Sequence, residues 1–168
     1  MNASARTLVL MRHAKSSYPD GVADHDRPLA ARGQREAGLA GTWIRDHLAP
    51  IERVLCSSAT RTRETLGLAD IDAPVDFLDR LYGATPGSLI SEVNAVDDAV
   101  RTLLVVGHEP TMSQVALGLA APDGSNRTVV REIAMKFPTS GIAVLRVPGS
   151  WADLRLGSAA LVAFHVPR

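Results

Sequence analysis

Arg12 and His13 stand side by side where a short apolar run, residues 8–11, comes to an end. A cation cannot continue a buried strand without a large desolvation cost. The pair is therefore displayed at the strand's carboxyl end, which is where open α/β sheets bind their ligands. A guanidinium at that position suits a phosphate or a carboxylate, and an imidazole serves there as base or nucleophile. The arrangement recurs twice downstream. Ser57-Ser58-Ala59-Thr60-Arg61 follows the apolar segment 53–56, and Gly107-His108-Glu109-Pro110-Thr111 follows the segment 102–106. Small hydroxylated residues cap a helix start, and a helix start attracts anions. Arg61 falls in that first turn, where a cation opposes the helix dipole, so its presence there points to a ligand rather than to the helix. Gly107 lets the backbone turn tightly or come close to a ligand. A lone Arg or His at a strand end is ordinarily a surface or structural residue. Two of each, just past three strand ends, can converge in a parallel sheet, and together they describe an anion site.

The elements that must position these residues are short and apolar. Strands are expected at 7–11, 53–56, 75–77, 102–106, 142–147 and 160–166, rich in Val, Ile and Leu as strands buried on both faces are. Helices are expected at 30–47, 61–68, 87–95 and 111–119. In the first of them Ala37, Ala40, Trp43, Ile44 and Leu48 recur at helical spacing, although the alanines make that face thin. Strands alternating with helices specify an α/β fold with a mostly parallel sheet. The last two strands have no helix between them and read as an antiparallel edge pair. Segments 17–27, 70–74, 123–126 and 148–153 read as loops. No repeat or change of composition divides the chain, so one domain spanning 1–168 is expected.

Composition limits the function. A chain of 168 residues, 46% hydrophobic and 21% charged, can bury a real core. Its formal net charge of +0 argues against broad attraction to nucleic acid or membrane, and 4% aromatics leave little for stacking on bases. A single cysteine, Cys56, excludes an internal disulfide and a multi-cysteine metal site. The start, Met1 to Arg6, is too short and polar for a leader, and no stretch has the roughly 18 apolar residues of a membrane span. The expectation is a cytoplasmic protein.

In order and spacing, Arg12-His13-Ala14-Lys15, Arg61 behind Ser57-Ser58, and Gly107-His108 resemble the histidine phosphatase superfamily. Its Arg-His-Gly motif follows the first strand; Ala14 replaces the glycine here, as in the short, SixA-like branch. Arg27-Pro28-Leu29 with Arg32-Gly33, and Pro138-Thr139-Ser140-Gly141-Ile142-Ala143, are also similar to segments of that branch. The resemblance implies a three-layer α/β/α, phosphoglycerate-mutase-like fold and a phosphatase that needs no metal or other cofactor. It makes His13 the nucleophile that becomes phosphohistidine, with Arg12, Arg61 and His108 binding the phosphate. Lys15, Ser16 and Arg27 are candidate substrate contacts at the rim.

The proton donor stays open. Asp79-Arg80-Leu81-Tyr82-Gly83 resembles the mutase-type Glu-Arg-His-Tyr-Gly segment and offers Asp79 as the acid. Glu109 is the other candidate, or else caps the helix after it; Asp20, Asp24 and Asp26 are weaker ones, and a phosphoramidate leaving group needs none. His25, His47 and His165 have no neighbours that mark a site, and Trp43 and Trp151 read as packing residues. A short chain implies an open pocket. The resemblance then implies phosphohistidine on a protein, such as a histidine phosphotransfer domain, or a small phosphorylated metabolite, with no nucleic acid or membrane partner. Mutase activity is disfavoured because retaining an intermediate needs a lid. Two other classes are a phosphate- or phosphoprotein-binding module without turnover, and a metallohydrolase built on His13, His108 and carboxylates, which leaves Arg12 and Arg61 unexplained.

Overall fold

A computed structural model describes residues 5–168; residues 1–4, part of the polar Met1–Arg6 segment, lie outside the described residues. The apolar run near the start forms strand β1, Arg6–Arg12. Leu8, Val9, Leu10 and Met11 are all 0% exposed, so both faces of the strand are covered. Alternation along the strand sends them to different sides. Leu8 and Leu10 join the core beneath α3 (Pro86–Asn94), α4 (Thr111–Leu119) and α5 (Arg127–Met135). Val9 and Met11 join the core beneath α1 (Ala31–His47) and α2 (Thr60–Ala69). The result is an α/β fold of three layers with the sheet in the middle.

The other strands are β2 (Arg53–Ser57), β3 (Val75–Leu78), β4 (Thr102–Gly107), β5 (Ile142–Val147) and β6 (Ala160–His165). They lie in the order β3-β2-β4-β1-β5-β6. The first four of these run parallel, and β5 runs antiparallel to both β1 and β6. The order matters for function, because β2, β4 and β1 are adjacent and their carboxyl ends open on one side of the sheet. Since β5 is reversed, its start meets that same edge.

Two features of the helices explain residues that looked weak in isolation. The thin face of α1 is a close-packing face: a Cβ at Gly41 would come within 1.9 Å of the Ala69 carbonyl oxygen at the end of α2. Gly33 brings the start of α1 equally near the segment after β1, where a Cβ would lie 2.0 Å from the Lys15 oxygen. Such contacts leave no room for a side chain.

One helix, α5, was not expected. Val129 and Ile133, four residues apart, are its only buried side chains, and they lie on one face of a helix whose other face is polar. Its start is specified by Asn126, whose side chain accepts from the N–H groups of Thr128 and Val129. Phe77 is 44% exposed on the edge strand β3 and lies under the Arg63 guanidinium. Trp151 is buried as expected and donates to the Val100 carbonyl. Trp43 stacks between His47 and His165. No helix among the described residues is long and apolar enough to cross a membrane.

Candidate active site

The ends of β1, β4 and β2 bring His13, His108 and Arg61 together, as parallel strand ends can. Arg12 is in register with Gly107. The backbone of His13 is held on both sides: its N–H donates to the Gly107 oxygen, and its carbonyl accepts from Ser140 N–H, each at 3.0 Å. Arg12 N–H donates to the Gly141 oxygen. The segment that begins β5 thus clamps the end of β1, which accounts for the place of Thr139-Ser140-Gly141 in the site. Gly107 keeps a negative φ, and its missing Cβ leaves room for the Met112 sulfur rather than for a turn.

His13 is 7% exposed. Its Nδ1 lies 2.7 Å from the Ala14 carbonyl oxygen, so this nitrogen carries the proton and Nε2 keeps its lone pair. Burial pushes the pKa down to about 3, and the neighbouring His108, Arg61 and Arg12 push the same way. His13 is therefore neutral and nucleophilic at Nε2 at ordinary pH. Its ring centroid is 5.3 Å from that of His108.

His108 is neutral for the same reason, with burial, and then Arg61, taking its pKa down to about 4. Its Nε2 is 2.8 Å from Ser57 Oγ, and Ser57 Oγ accepts from Ala59 N–H. His108 Nε2 is the one acceptor in reach of the Ser57 hydroxyl among the described residues, so that proton goes to Nε2. The other ring nitrogen, Nδ1–H, is buried and has no partner. A second donor is thus left for a ligand oxygen.

The two arginines repeat this pattern. Arg12 donates from Nη1 to the Phe137 oxygen, while its Nε is buried and unpartnered. Arg61, 6% exposed, uses Nη1 and Nη2 on Asp24, and its Nε is likewise buried and unpartnered. Buried polar atoms are rarely left unpaired, and these three belong to residues that line one cavity with His13, an arrangement that suits an oxyanion. A cavity of about 210 Å³ lies here, lined by Arg12, His13, Lys15, Ser16, Tyr18, Arg27, Arg61, His108, Glu109 and Thr139. A larger cavity of about 520 Å³ shares Arg61, His108 and Glu109 with it and extends between Tyr82 and Gln114.

Lys15, Ser16 and Arg27 line the smaller cavity, as expected of rim contacts. Arg27 donates to Ser16 Oγ at 2.7 Å and lies over the Tyr18 ring, so these two residues also support each other. Asp79 does not share the pocket. It accepts from Ser58 Oγ at 2.5 Å and lines neither cavity, because β3 is the edge strand and its end lies one strand further out. Glu109 does line both cavities, and its carboxylate accepts from Ser113 N–H and Oγ at the start of α4. Asp24, a weak candidate in sequence, stands in the wall of the larger cavity and pairs with Arg61, Arg27 and Tyr82. Its neighbour His25 meets Ser58 and the Tyr82 ring. Among the described residues, no three of His, Cys, Asp and Glu converge as a metal site would require.

The chain is similar to known proteins. The family model for the histidine phosphatase superfamily (branch 1) matches residues 8–89. A solved structure from Nakamurella multipartitia, assigned as phosphohistidine phosphatase SixA, is 41% identical with a TM-score of 0.91, and the match covers 99% of each chain. An uncharacterized protein of Mycobacterium tuberculosis is 63% identical over 158 residues, which are 94% of this chain and all of that protein. Phosphohistidine phosphatase SixA of Escherichia coli is 28% identical over 121 residues, 67% of this chain and 73% of its own.

Proposed function

The chain belongs to the histidine phosphatase superfamily, in its SixA-like branch, and is a phosphatase; on that premise we propose that it acts without a metal, through a phosphohistidine formed on His13. The observation that carries this reading is the fixed tautomer of His13, buried and neutral, with Nδ1–H bound to the Ala14 carbonyl and Nε2 free. Nε2 attacks phosphorus, the N–P bond forms, and the bond to the leaving group breaks with its electron pair. Arg12 Nε, Arg61 Nε and His108 Nδ1–H bind the non-transferring oxygens and offset charge as it develops. Water then attacks phosphorus and returns His13 to its starting form. The hydrogen bond to Ala14 holds the ring through both steps and stabilises the charge the phosphorylated imidazole carries.

The phosphoryl group is taken from nitrogen in preference to oxygen, so the leaving group is the nitrogen of a phosphoramidate rather than an alkoxide. Glu109 is committed to Ser113, and Asp24 is held far below the usual carboxylate range by its bond from Tyr82 and then by Arg61 and Arg27. Neither is poised to give a proton to an alkoxide. A phosphoramidate nitrogen, such as that of a phosphohistidine on a protein, takes its proton before it leaves. The open outer cavity, about 520 Å³, suits a side chain presented by a phosphotransfer domain. Small phosphorylated metabolites are the slower substrates.

The test is turnover of a phosphohistidine protein and of an aryl phosphate, in EDTA, by wild type and His13→Ala. Turnover that survives EDTA and is lost in the variant supports the mechanism. Loss in EDTA, or full activity in the variant, refutes it. A faster rate on the aryl phosphate refutes the substrate preference.

A further inference from the structure

Arg61 is the pocket's most buried cation, and both of its terminal nitrogens are already occupied by one residue. Nη1 donates to the Asp24 carbonyl oxygen at 2.7 Å, and Nη2 to Asp24 Oδ2 at 3.1 Å. Asp24 lies on the turn Asp24–Asp26, in a segment that the sequence alone reads as a loose loop. Its carboxylate also receives Tyr82 OH at 2.5 Å on Oδ2 and Arg27 Nε at 3.1 Å on Oδ1. One side chain therefore joins the 24–27 segment, the start of α2 and the Tyr82 loop.

We propose that Asp24 is a positioning residue: it grips Arg61 by its two terminal nitrogens and so turns Nε toward the phosphoryl group. The inference rests on the phosphatase reading above. Arg12 supplies an internal comparison, since it too is held by a terminal nitrogen and has Nε unpartnered. There the grip is a backbone carbonyl, which no side-chain substitution removes. For Arg61 it is in part a carboxylate, and two contacts on a planar fork set the plane as well as the position. The Asp24 carboxylate is 56% exposed, so the pair does little for stability. Its effect is on orientation, and catalysis is sensitive to small misplacements.

The test compares Asp24→Asn in two backgrounds, wild type and Arg61→Ala, reading kcat/KM on a phosphohistidine protein and affinity for inorganic phosphate. Arg61→Met is a second background, close in volume and without the nitrogens, should the alanine variant misfold. In the wild-type background both readouts should fall about tenfold, the scale of one misaligned charge-assisted hydrogen bond. Where Arg61 is already gone, the same substitution should change neither readout by more than about twofold, because residues that act as a unit are not additive. An equal fall in both backgrounds overturns the proposal, for Asp24 would then act on the substrate itself. A fall that tracks a lowered melting temperature overturns it too. Wild type that binds phosphate without turnover would sink the phosphatase reading, and the phosphate arm would still decide this one. Wild type that binds no phosphate overturns both.

Discussion

His13 should make the protein sensitive to acid in a window set by its burial. Folded, its pKa lies near 3 instead of the ordinary 6.5. Between these values the unfolded chain binds a proton that the folded one refuses. Stability contributed by keeping His13 neutral is therefore complete above pH 6.5 and is lost progressively as pH falls from 6.5 toward 3. Each pH unit in the window corresponds to about 1.4 kcal/mol. Going from pH 7 to pH 4.5 crosses about two units, so His13 alone should remove about 2–3 kcal/mol, a substantial share of a domain's stability. His13→Asn keeps an N–H near the position of Nδ1, able to reach the Ala14 carbonyl, and removes the titration. Urea unfolding of both proteins at the two pH values gives the comparison. The lowered pKa values of His108 and Asp24 act in both proteins and largely cancel. Wild type should lose about 2–3 kcal/mol more than the variant over this interval. Equal losses would refute the claim that the fold excludes charge at His13, and with it the account of a neutral nucleophile. Nitrogen NMR offers a direct check, since His13 should remain neutral at pH 5.

Two further sets of variants probe the supports of the site. Gly33→Ala should destabilise by about 3 kcal/mol and lower activity, because its Cβ meets the Lys15 backbone oxygen beside the nucleophile. Gly38→Ala, in the same helix with nothing nearer than the Leu68 oxygen at 3.9 Å, should stabilise by about 1 kcal/mol. Thermal and urea melts of the pair would expose an error in the packing if both shifted the same way. Ser57→Ala should cut kcat/KM about tenfold and destabilise by about 1–3 kcal/mol, since His108 Nε2 loses the donor that fixes its tautomer and Ala59 N–H loses its acceptor. Ser57→Thr keeps the hydroxyl and should restore most of the rate; unchanged kinetics in Ser57→Ala would remove Ser57 from the mechanism.

Much of the architecture is legible in the sequence because β1, β2, β4 and β5 are short apolar runs, buried on both faces and bounded by charge, glycine or serine. A strand of that kind announces itself without its neighbours. The positions of Arg12, His13, Arg61 and His108 are legible for a related reason, since each follows the end of such a run. Asp79 follows a strand end too, and that rule misjudges it. Proximity to a strand end means proximity to the site only when strand order is known. The order β3-β2-β4-β1 seats Asp79 beyond β2, beside Ser58 and away from the phosphate pocket. No local pattern encodes that order. The segment 17–27 is a loop with one short turn, as its composition indicates, but what holds it is not legible locally: its contacts are with Arg61, Ser58 and Tyr82, none of which is near in sequence.

Arg61 shows where local reading succeeds and stops. A cation in the first turn of α2 violates the preference of a helix start, and no side chain caps that helix. The violation by itself marks a functional position, because proteins break local rules chiefly where function compensates. The compensation has no such local mark. The counter-charge of Arg61 is Asp24, 37 residues earlier in a stretch with the composition of a loop. An unfavourable residue can be recognised from its own neighbours, whereas the partner that makes it tolerable is chosen by topology. In this fold the partner is a loop residue that topology brings against the start of α2, and the residue that offsets the charge of Arg61 is the one proposed to set the direction in which Arg61 faces.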